Sequence, residues 1–222
     1  MKRLAEDLYL LRGFPPRAIN VYLAGDVIVD AGTRLAARRI LAQVSGHPVS
    51  AHALTHAHPD HQGSSHELCQ TLGIALWCGR DEVGAVQSAR SVGPAGGAGV
   101  VTSLAQRGLG GPAHPVGRVL QEGDAVADFA VLETPGHAPG HIALWRERDR
   151  VLIAGDVLTN VNVLTGMPGL HEPPAMLTPD PARNRQSARR LAALDPELVC
   201  FGHGPPLRDP RRLAEFVDGL AR

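Results

Sequence analysis

Residues 55–61, Thr-His-Ala-His-Pro-Asp-His, constrain the fold more than any other part of this chain. They supply three imidazoles and one carboxylate, the groups that suit zinc and similar divalent ions: His56, His58, Asp60 and His61. In an extended segment His56, His58 and Asp60 would share one face, because side chains alternate along it. His61 would then point elsewhere, so the spacing predicts a tight loop that can serve two metal positions.

The alternative interpretation of this run is a chance cluster of polar residues in a surface loop. The chain has 11 histidines among 222 residues, so a single His-x-His pair would carry little weight. A complete His-x-His-x-Asp-His run is far less expected by chance, and we therefore favour a metal site.

The composition is typical of a globular protein, with 222 residues of which 44% are hydrophobic. The formal net charge is zero and no basic stripe is visible, so nucleic-acid binding has no electrostatic support. We predict one domain over residues 1–222 that acts on a small molecule and has no nucleic-acid partner.

The N-terminal residues lack an apolar signal core, and no apolar run is long enough to span a bilayer. We therefore expect a cytoplasmic protein with no membrane partner, and the sequence leaves the oligomeric state open. The three cysteines, Cys69, Cys78 and Cys200, are scattered in apolar contexts without a Cys-x-x-Cys pair. This pattern predicts buried thiols and argues against disulfides or a thiolate zinc site.

Hydrophobic periodicity and turn residues predict alternating strands and helices, which indicate sheets packed together with helices outside. Thr33 is expected to cap the first helix, and Leu35 to belong to its apolar face. Two Gly/Pro-rich segments are predicted to be irregular: 91–115, a loop that can include one short helix, and 160–179, a loop. The predicted strands are 7–12, 18–24, 26–30, 49–54, 74–78, 116–120, 129–134, 142–146, 151–154 and 198–201, and the predicted helices are 33–45, 65–72, 80–89, 181–194 and 210–220.

Three further candidate ligands each follow a predicted strand: His137, Asp156 and His203. Each has a glycine beside it, which permits unusual backbone angles and a close approach to an ion. Taken alone, a Gly-His or a Gly-Asp in a turn is usually only a turn. The histidine run upstream makes a shared metal site the better interpretation.

The order His-x-His-x-Asp-His, Thr-Pro-Gly-His, Gly-Asp and Gly-His resembles the metallo-β-lactamase-fold hydrolase superfamily, with glyoxalase II-like and lactonase-like members. The resemblance implies an α/β fold, an αββα four-layer sandwich of two mixed β-sheets with helices on the outer faces. It also implies a division of the ligands. His56, His58 and His137 would bind one metal, Asp60, His61 and His203 the other, and Asp156 would bridge the two.

Other polar residues have weaker settings. Asp30 matches a family position that is usually structural, and His141 is expected to support the fold. For His47, His52, His66 and His114 we expect surface or helix-cap roles. His171 lies in the loop after Asp156, where it could face the substrate. The apolar residues of this loop hint at a partly hydrophobic pocket: Val161, Val163, Leu164, Met167, Leu170 and Met176.

The resemblance implies a dinuclear zinc hydrolase that cleaves an ester, thioester, lactone or amide bond with a metal-bridging hydroxide. The catalytic role of orienting this hydroxide would fall to Asp60. The expected cofactors are two zinc ions, with iron or manganese as alternatives because affinity alone does not select the metal. Several differences between this chain and members of the superfamily bear on the substrate. Many lactonases have a tyrosine where this chain has Thr159. Only 19 residues follow His203 (204 to 222), so we expect no glutathione-binding C-terminal domain like that of full-length glyoxalase II.

Two alternatives stay open. Persulfide dioxygenases of the same fold use one iron, bound by residues equivalent to His56, His137 and Asp156. A non-enzymatic metal-binding protein is the other alternative, although all seven ligand types are intact in this chain.

Overall fold

Seven short strands form a first mixed sheet in which the strands follow one another in chain order. The first four strands pair antiparallel with their neighbours, and the fourth to seventh pair parallel. The computed structural model describes residues 1–90 and 107–220. The strands are β1 (Lys2–Ala5), β2 (Leu8–Leu10), β3 (Tyr22–Ala24), β4 (Val27–Val29), β5 (Ala51–Ala53), β6 (Ala75–Gly79) and β7 (Val116–Leu120).

A second mixed sheet has five strands, and a separate two-stranded hairpin lies beside it. Its strands are β8 (Ala125–Val126), β9 (Phe129–Glu133), β10 (Ile142–Arg146), β11 (Val151–Gly155) and β14 (Leu198–Phe201), and the hairpin is β12 (Thr159–Val161) with β13 (Pro168–His171). The sheet has the order β14-β11-β10-β9-β8, in which only the β11–β14 pair is parallel.

The helices are short and lie between the strands. Asp180 and Asp209 each precede a proline at a helix start and accept a hydrogen bond from a backbone N–H of the first turn, as expected of N-caps. The α-helices that lie wholly within the described residues are α1 (Ala37–Val44), α2 (Pro59–Gln62), α3 (Ser65–Leu72), α4 (Val83–Ser88), α5 (Pro181–Ala192) and α6 (Pro210–Asp218), and 3₁₀ turns cover Arg80–Glu82, Glu147–Asp149 and Ala175–Leu177.

The alternation of side chains along the strands creates four layers. Val27 and Val29 of β4 face a core shared by the two sheets, whereas Ile28 between them packs with Ile40 of α1. The second sheet behaves in the same way. Val151 and Ile153 of β11 enter the shared core, and Leu152 packs against Leu191 of α5 and Leu213 of α6. The predicted αββα sandwich is therefore confirmed.

The start of α1 differs from the prediction. The helix begins at Ala37, and Thr33 does not cap it. Residues 33–36 form a turn instead, because the Arg34 N–H bonds the Leu109 carbonyl and the Ser64 hydroxyl bonds the Thr33 carbonyl. As a result Leu35, predicted to face the core, is 80% exposed.

Other secondary-structure elements also differ from the prediction. The first strand, β1, and the short strand β8 were not predicted. The segment 160–179 is not a plain loop, since it contains the hairpin β12–β13 and the turn Ala175–Leu177. Of the predicted loop 91–115, residues 91–106 lie outside the described residues. Within the described ranges, no helix is long and apolar enough to cross a membrane.

Candidate metal centre

The histidine run begins two residues after β5 ends and passes into a single helical turn. His58 has extended backbone angles, and Pro59 starts α2 at the N1 position. The tight loop that we predicted for the whole run ends at His58, because Asp60 and His61 lie within α2. Although consecutive helical residues point about 100° apart, the ligand atoms of Asp60 and His61 lie within 4.8 Å of each other and of His203. The expectation that Asp60 shares a face with His56 and His58 while His61 points elsewhere is therefore wrong, because the helical turn groups Asp60 with His61.

The three remaining candidates come from the second sheet and lie at the same edge of the sandwich. His137 lies in the turn between β9 and β10, Asp156 directly follows β11, and His203 follows β14. All three are buried. Because β11 and β14 are parallel neighbours, their carboxyl ends bring Asp156 and His203 together.

The seven candidate residues form three groups, and within each group the ligand atoms lie within 4.8 Å of one another. The groups are His56–His58–His137, His56–His61–Asp156 and Asp60–His61–His203. The first and third correspond to the two ligand sets that the resemblance implied. The structure thus brings the residues of each set together, and their role as ligands stays a prediction.

Asp156 lies between the two sets. Its Oδ2 atom is 3.7 Å from His137 Nε2 on one side, and 3.5 Å from His61 Nε2 and 3.1 Å from His203 Nε2 on the other. One carboxylate therefore reaches both sets, as a bridging ligand must. Gly202 makes room for it, since a Cβ there would lie 2.0 Å from Asp156 Oδ1.

Whether this cluster suits cations can be judged from its buried polar atoms, several of which have no hydrogen-bond partner. They are Nε2 of His56, His58 and His137, and Oδ1 of Asp156. Leaving a buried polar atom unsatisfied costs about 1–3 kcal/mol, and proteins seldom accumulate several in one place. A set of imidazole nitrogens and a carboxylate oxygen that converge without partners suits divalent cations.

Hydrogen bonds on the opposite ring nitrogens orient these imidazoles. His56 Nδ1 lies 3.0 Å from the Thr55 hydroxyl, and His137 Nδ1 lies 3.2 Å from the Thr178 hydroxyl. Each hydroxyl donates elsewhere, to Asp30 and to the Pro174 carbonyl, so each accepts from the ring N–H. The Nε2 lone pairs are therefore free to bind a cation.

His203 is held in the same manner, because its Nδ1 donates to the Ala18 carbonyl. The Asp156 backbone is fixed by His141, whose Nε2 accepts the Asp156 N–H at 3.0 Å. His141 Nδ1 in turn lies 2.8 Å from the Thr134 hydroxyl. The expectation that His141 supports the fold is therefore confirmed.

The two sets differ electrostatically. Burial lowers the pKa of His58 to about 4, and it lowers the pKa of His56 and His137 as well. Burial also acts on His203, but the nearby carboxylates of Asp156 and Asp60 outweigh it and raise the pKa of His203 to about 10. The first set is thus a pocket of neutral imidazoles. At the second set the carboxylates stabilise positive charge, which a bound cation would supply in place of the His203 proton.

Glu82 is a buried residue of this region that the sequence did not reveal. Its Oε2 atom accepts the Ala57 N–H at 2.7 Å, and its Oε1 atom accepts the Gly140 N–H at 2.8 Å. Ala57 lies between His56 and His58, and Gly140 lies in the turn that carries His137. One carboxylate therefore ties together two ligand-bearing segments. In the sequence it appears only as a polar residue in the predicted helix 80–89.

A cavity of about 370 Å³ opens over the cluster. The members of the cluster that line it are His58, Asp60, His137, Asp156 and His203. His171, which we considered as a substrate contact, is not among the lining residues. Of the apolar loop residues, Val161, Val163 and Leu164 line the cavity, whereas Leu170 is buried in the core between the second sheet and its helices.

Comparisons with known proteins agree with this architecture. The family model described as the metallo-beta-lactamase superfamily matches residues 14–203. The probable metallo-hydrolase YflN of Bacillus subtilis is 32% identical over 203 residues, which cover 82% of this chain and 76% of YflN.

Two solved structures extend the likeness. The metallo-beta-lactamase family protein TTHA1429 from Thermus thermophilus matches with a TM-score of 0.67 at 28% identity, covering 97% of this chain and 80% of that one. TTHA1623, solved in a di-iron-bound form, matches with a TM-score of 0.62 at 28% identity, covering 90% of this chain and 88% of that one. From the matched family model, the relative and the shared fold, we conclude that this chain belongs to the metallo-beta-lactamase superfamily.

Proposed function

We propose that this protein is a dinuclear metal-dependent hydrolase that cleaves an ester, thioester, lactone or amide bond of a small molecule. The observation that carries the proposal is the position of Asp156 between two complete sets of candidate ligands, at the floor of a cavity. A cavity of about 370 Å³ lies within the range of about 300–1,000 Å³ usual for small-molecule sites.

His56, His58 and His137 would hold one cation, Asp60, His61 and His203 the second, and Asp156 would contact both. When bound, the cations would act as Lewis acids that polarise a substrate carbonyl and make water acidic enough to attack near neutral pH. We propose zinc, with iron or manganese as alternatives, since the relative TTHA1623 is known with two irons.

Asp60 is the residue we assign to proton handling. Its carboxylate lines the cavity and keeps 24% of its side chain exposed, whereas the Asp156 side chain is only 6% exposed. Asp60 Oδ2 lies 3.3 Å from His203 Nε2, which limits its orientation. From this position Asp60 would hold the attacking water and accept its proton at a carboxylate oxygen.

The cysteines do not offer a competing nucleophile. Cys69, Cys78 and Cys200 are all buried, and burial raises the pKa of each thiol to about 12. None of them lines the cavity. Attack by water held at the cluster is therefore the route that these side chains support.

The test combines metal counting with turnover. Purified protein would be stripped with a chelator, reloaded with zinc, and assayed on thioesters, lactones and β-lactams. We expect two zinc ions per chain and hydrolysis that disappears on chelation and returns with metal. One iron per chain with oxygen uptake on glutathione persulfide would favour the dioxygenase alternative, and full metal occupancy without turnover would favour a binding protein.

A single variant separates one-metal from two-metal models. His61→Ala should reduce the zinc content from two ions to one in a dinuclear site, but leave it unchanged if His56, His137 and Asp156 bind a single ion. His66→Ala is the matched control, because His66 lies outside the cluster beside His114 and should leave the metal count unchanged.

A further inference from the structure

The cavity over the cluster has an apolar wall that comes mainly from two segments, with Ala18 and Ile19 added from a third. Val161, Val163 and Leu164 come from the end of β12 and the turn that follows it. Leu177, with the two prolines before the turn Ala175–Leu177, comes from the chain between β13 and α5. Apolar side chains therefore border the polar floor of the cavity.

Exposed apolar residues are concentrated in the segment 161–177 that carries this wall, where Val163 and Leu164 line the cavity but Met167 and Met176 do not. In residues 1–90 and 107–220, eight large hydrophobic side chains are exposed, and four of these fall between residues 163 and 176: Val163, Leu164, Met167 and Met176. Exposed apolar residues contribute little to the stability of the fold, and their clustering marks a binding surface.

The turn that carries this wall is ordered by a side chain. Asn162 Oδ1 accepts the N–H groups of Leu164 and Thr165, both at 3.0 Å. The Asn162 N–H also donates to the Met167 carbonyl at 2.7 Å. Val163 and Leu164 are thus presented by a hydrogen-bonded turn, which lowers the entropy lost when a ligand packs against them.

The charges around the cavity argue against an anionic substrate tail. The charged lining residues are members of the metal cluster, and no lysine or arginine is among the described residues of the lining. The nearest cation in sequence is Arg17, which is exposed and precedes the lining residue Ala18. With the reactive carbonyl over the proposed cations, a carboxylate on the far end of the substrate would lose hydration without gaining a buried counter-charge from the rest of the lining.

We infer that the substrate carries an uncharged apolar acyl group, which packs against Val161, Val163, Leu164 and Leu177 while its reactive carbonyl lies over the cluster. This inference rests on the proposed hydrolase function and specifies its substrate class. It predicts that substrates whose distant end carries a carboxylate, such as glutathione thioesters, are poor ones.

Turnover gives the first arm of the test. The zinc-loaded protein would be assayed on p-nitrophenyl acetate, butyrate, hexanoate and hemisuccinate. Each methylene buried on the wall should raise kcat/KM about threefold, so hexanoate should exceed acetate by about 10- to 100-fold. Butyrate should exceed the charged hemisuccinate, of comparable length, by at least about tenfold. A flat series, or a preference for hemisuccinate, would overturn the inference.

Binding gives a second arm that does not need turnover. Acetohydroxamate, hexanohydroxamate and the monohydroxamate of succinate would be titrated calorimetrically into the zinc-loaded protein. Hexanohydroxamate should bind about 10- to 100-fold more tightly than acetohydroxamate, with a more negative heat-capacity change. If the esters are not hydrolysed but hexanohydroxamate still binds most tightly, the hydrolase proposal is wrong and the apolar wall is still a binding surface. Equal affinities would contradict the apolar wall whatever the turnover.

Two matched variants test whether the preference for the hexanoyl group arises at this wall. Leu164→Asp should reduce the hexanoyl-to-acetyl ratio at least fivefold in both arms, because it places a charge on the wall. Leu35→Asp makes the same change at a leucine that is 80% exposed and outside the cavity lining, and should leave the ratio unchanged. If both variants behave alike, the preference does not arise from this wall.

Discussion

Asp30 and His61 form a buried pair in which the carboxylate Oδ2 lies 3.0 Å from the ring Nδ1. Asp30 also accepts hydrogen bonds from the backbone N–H and the hydroxyl of Thr55. Its backbone lies in the left-handed region with φ of 61°, where aspartate and asparagine are tolerated better than most residues. Asp30 therefore fixes both the ring of His61 and the segment that leads into the histidine run.

Asp30→Asn should keep this backbone and weaken the metal site. The amide group replaces an acceptor with a donor, so either His61 or Thr55 loses its partner. We expect the affinity for metal, or kcat/KM, to fall about 10- to 100-fold, measured by metal analysis after dialysis and by ester hydrolysis. Asp218→Asn, at an exposed residue of α6, is the control. Wild-type metal content and turnover would mean that Asp30 does not position His61.

Asp60→Asn tests proton handling separately from metal binding. The amide retains the size and one oxygen of the carboxylate but is a poor proton acceptor. We expect kcat to fall by about 100- to 10,000-fold while much of the metal stays bound. Metal content and kcat must be measured on the same preparation. Survival of activity with both metals present would show that Asp60 is not the proton acceptor.

Gly202→Ala tests how closely the chain approaches Asp156. The added Cβ would lie 2.0 Å from Asp156 Oδ1 and 2.6 Å from His61 Cε1, so a side chain of the cluster must move. We expect loss of at least one metal ion and most turnover. Gly84→Ala in α4 is the matched control, because nothing lies within 4 Å of its Cβ position. This control should be active and up to about 1 kcal/mol more stable.

Glu82 is predicted to be a positioning residue. In Glu82→Gln the amide would turn an N–H toward the N–H of either Ala57 or Gly140, which leaves buried donors unpaired. We expect the free energy of unfolding of the metal-free protein to fall by about 1–3 kcal/mol. We also expect zinc affinity to fall in the folded protein. A variant with reduced stability but unchanged zinc affinity would show a structural role only.

The sequence predicted the parts of this site that depend on strand ends. His137, Asp156 and His203 each follow a strand with a glycine beside it, and parallel pairing of β11 and β14 explains why two of them meet. Long-range contacts were harder to predict. Glu82 contacts backbone N–H groups that leave no mark on residue type, and Leu35 is exposed because a turn held by Leu109 precedes α1.

The role of His52 was also missed from the sequence. We expected a surface or helix-cap role, but the residue is fully buried. Its Nδ1 lies 3.1 Å from the Ile28 carbonyl, to which it must donate. Its Nε2 then accepts from the Ser65 hydroxyl at 2.8 Å. The ring thus links β4 to the start of α3 as a neutral imidazole, a role that depends on tertiary contacts and not on local sequence.

This burial makes stability depend on pH. Burial lowers the pKa of His52 from 6.5 to about 4, so between these values the unfolded chain holds a proton that the folded chain lacks. The contribution of the neutral His52 to the free energy of unfolding is therefore complete above about pH 6.5 and is lost as the pH falls toward 4. At pH 5 the loss should be about 2 kcal/mol.

Urea unfolding of metal-free wild type and His52→Gln at pH 7 and pH 5 would measure this effect. The histidines of the metal cluster also titrate, but they are common to both proteins and cancel in the difference. The variant should be less stable at pH 7, where the imidazole satisfies both partners. Its disadvantage should shrink by about 2 kcal/mol at pH 5, because only the wild type must keep His52 neutral. An equal difference at both pH values would show that the His52 pKa is not lowered.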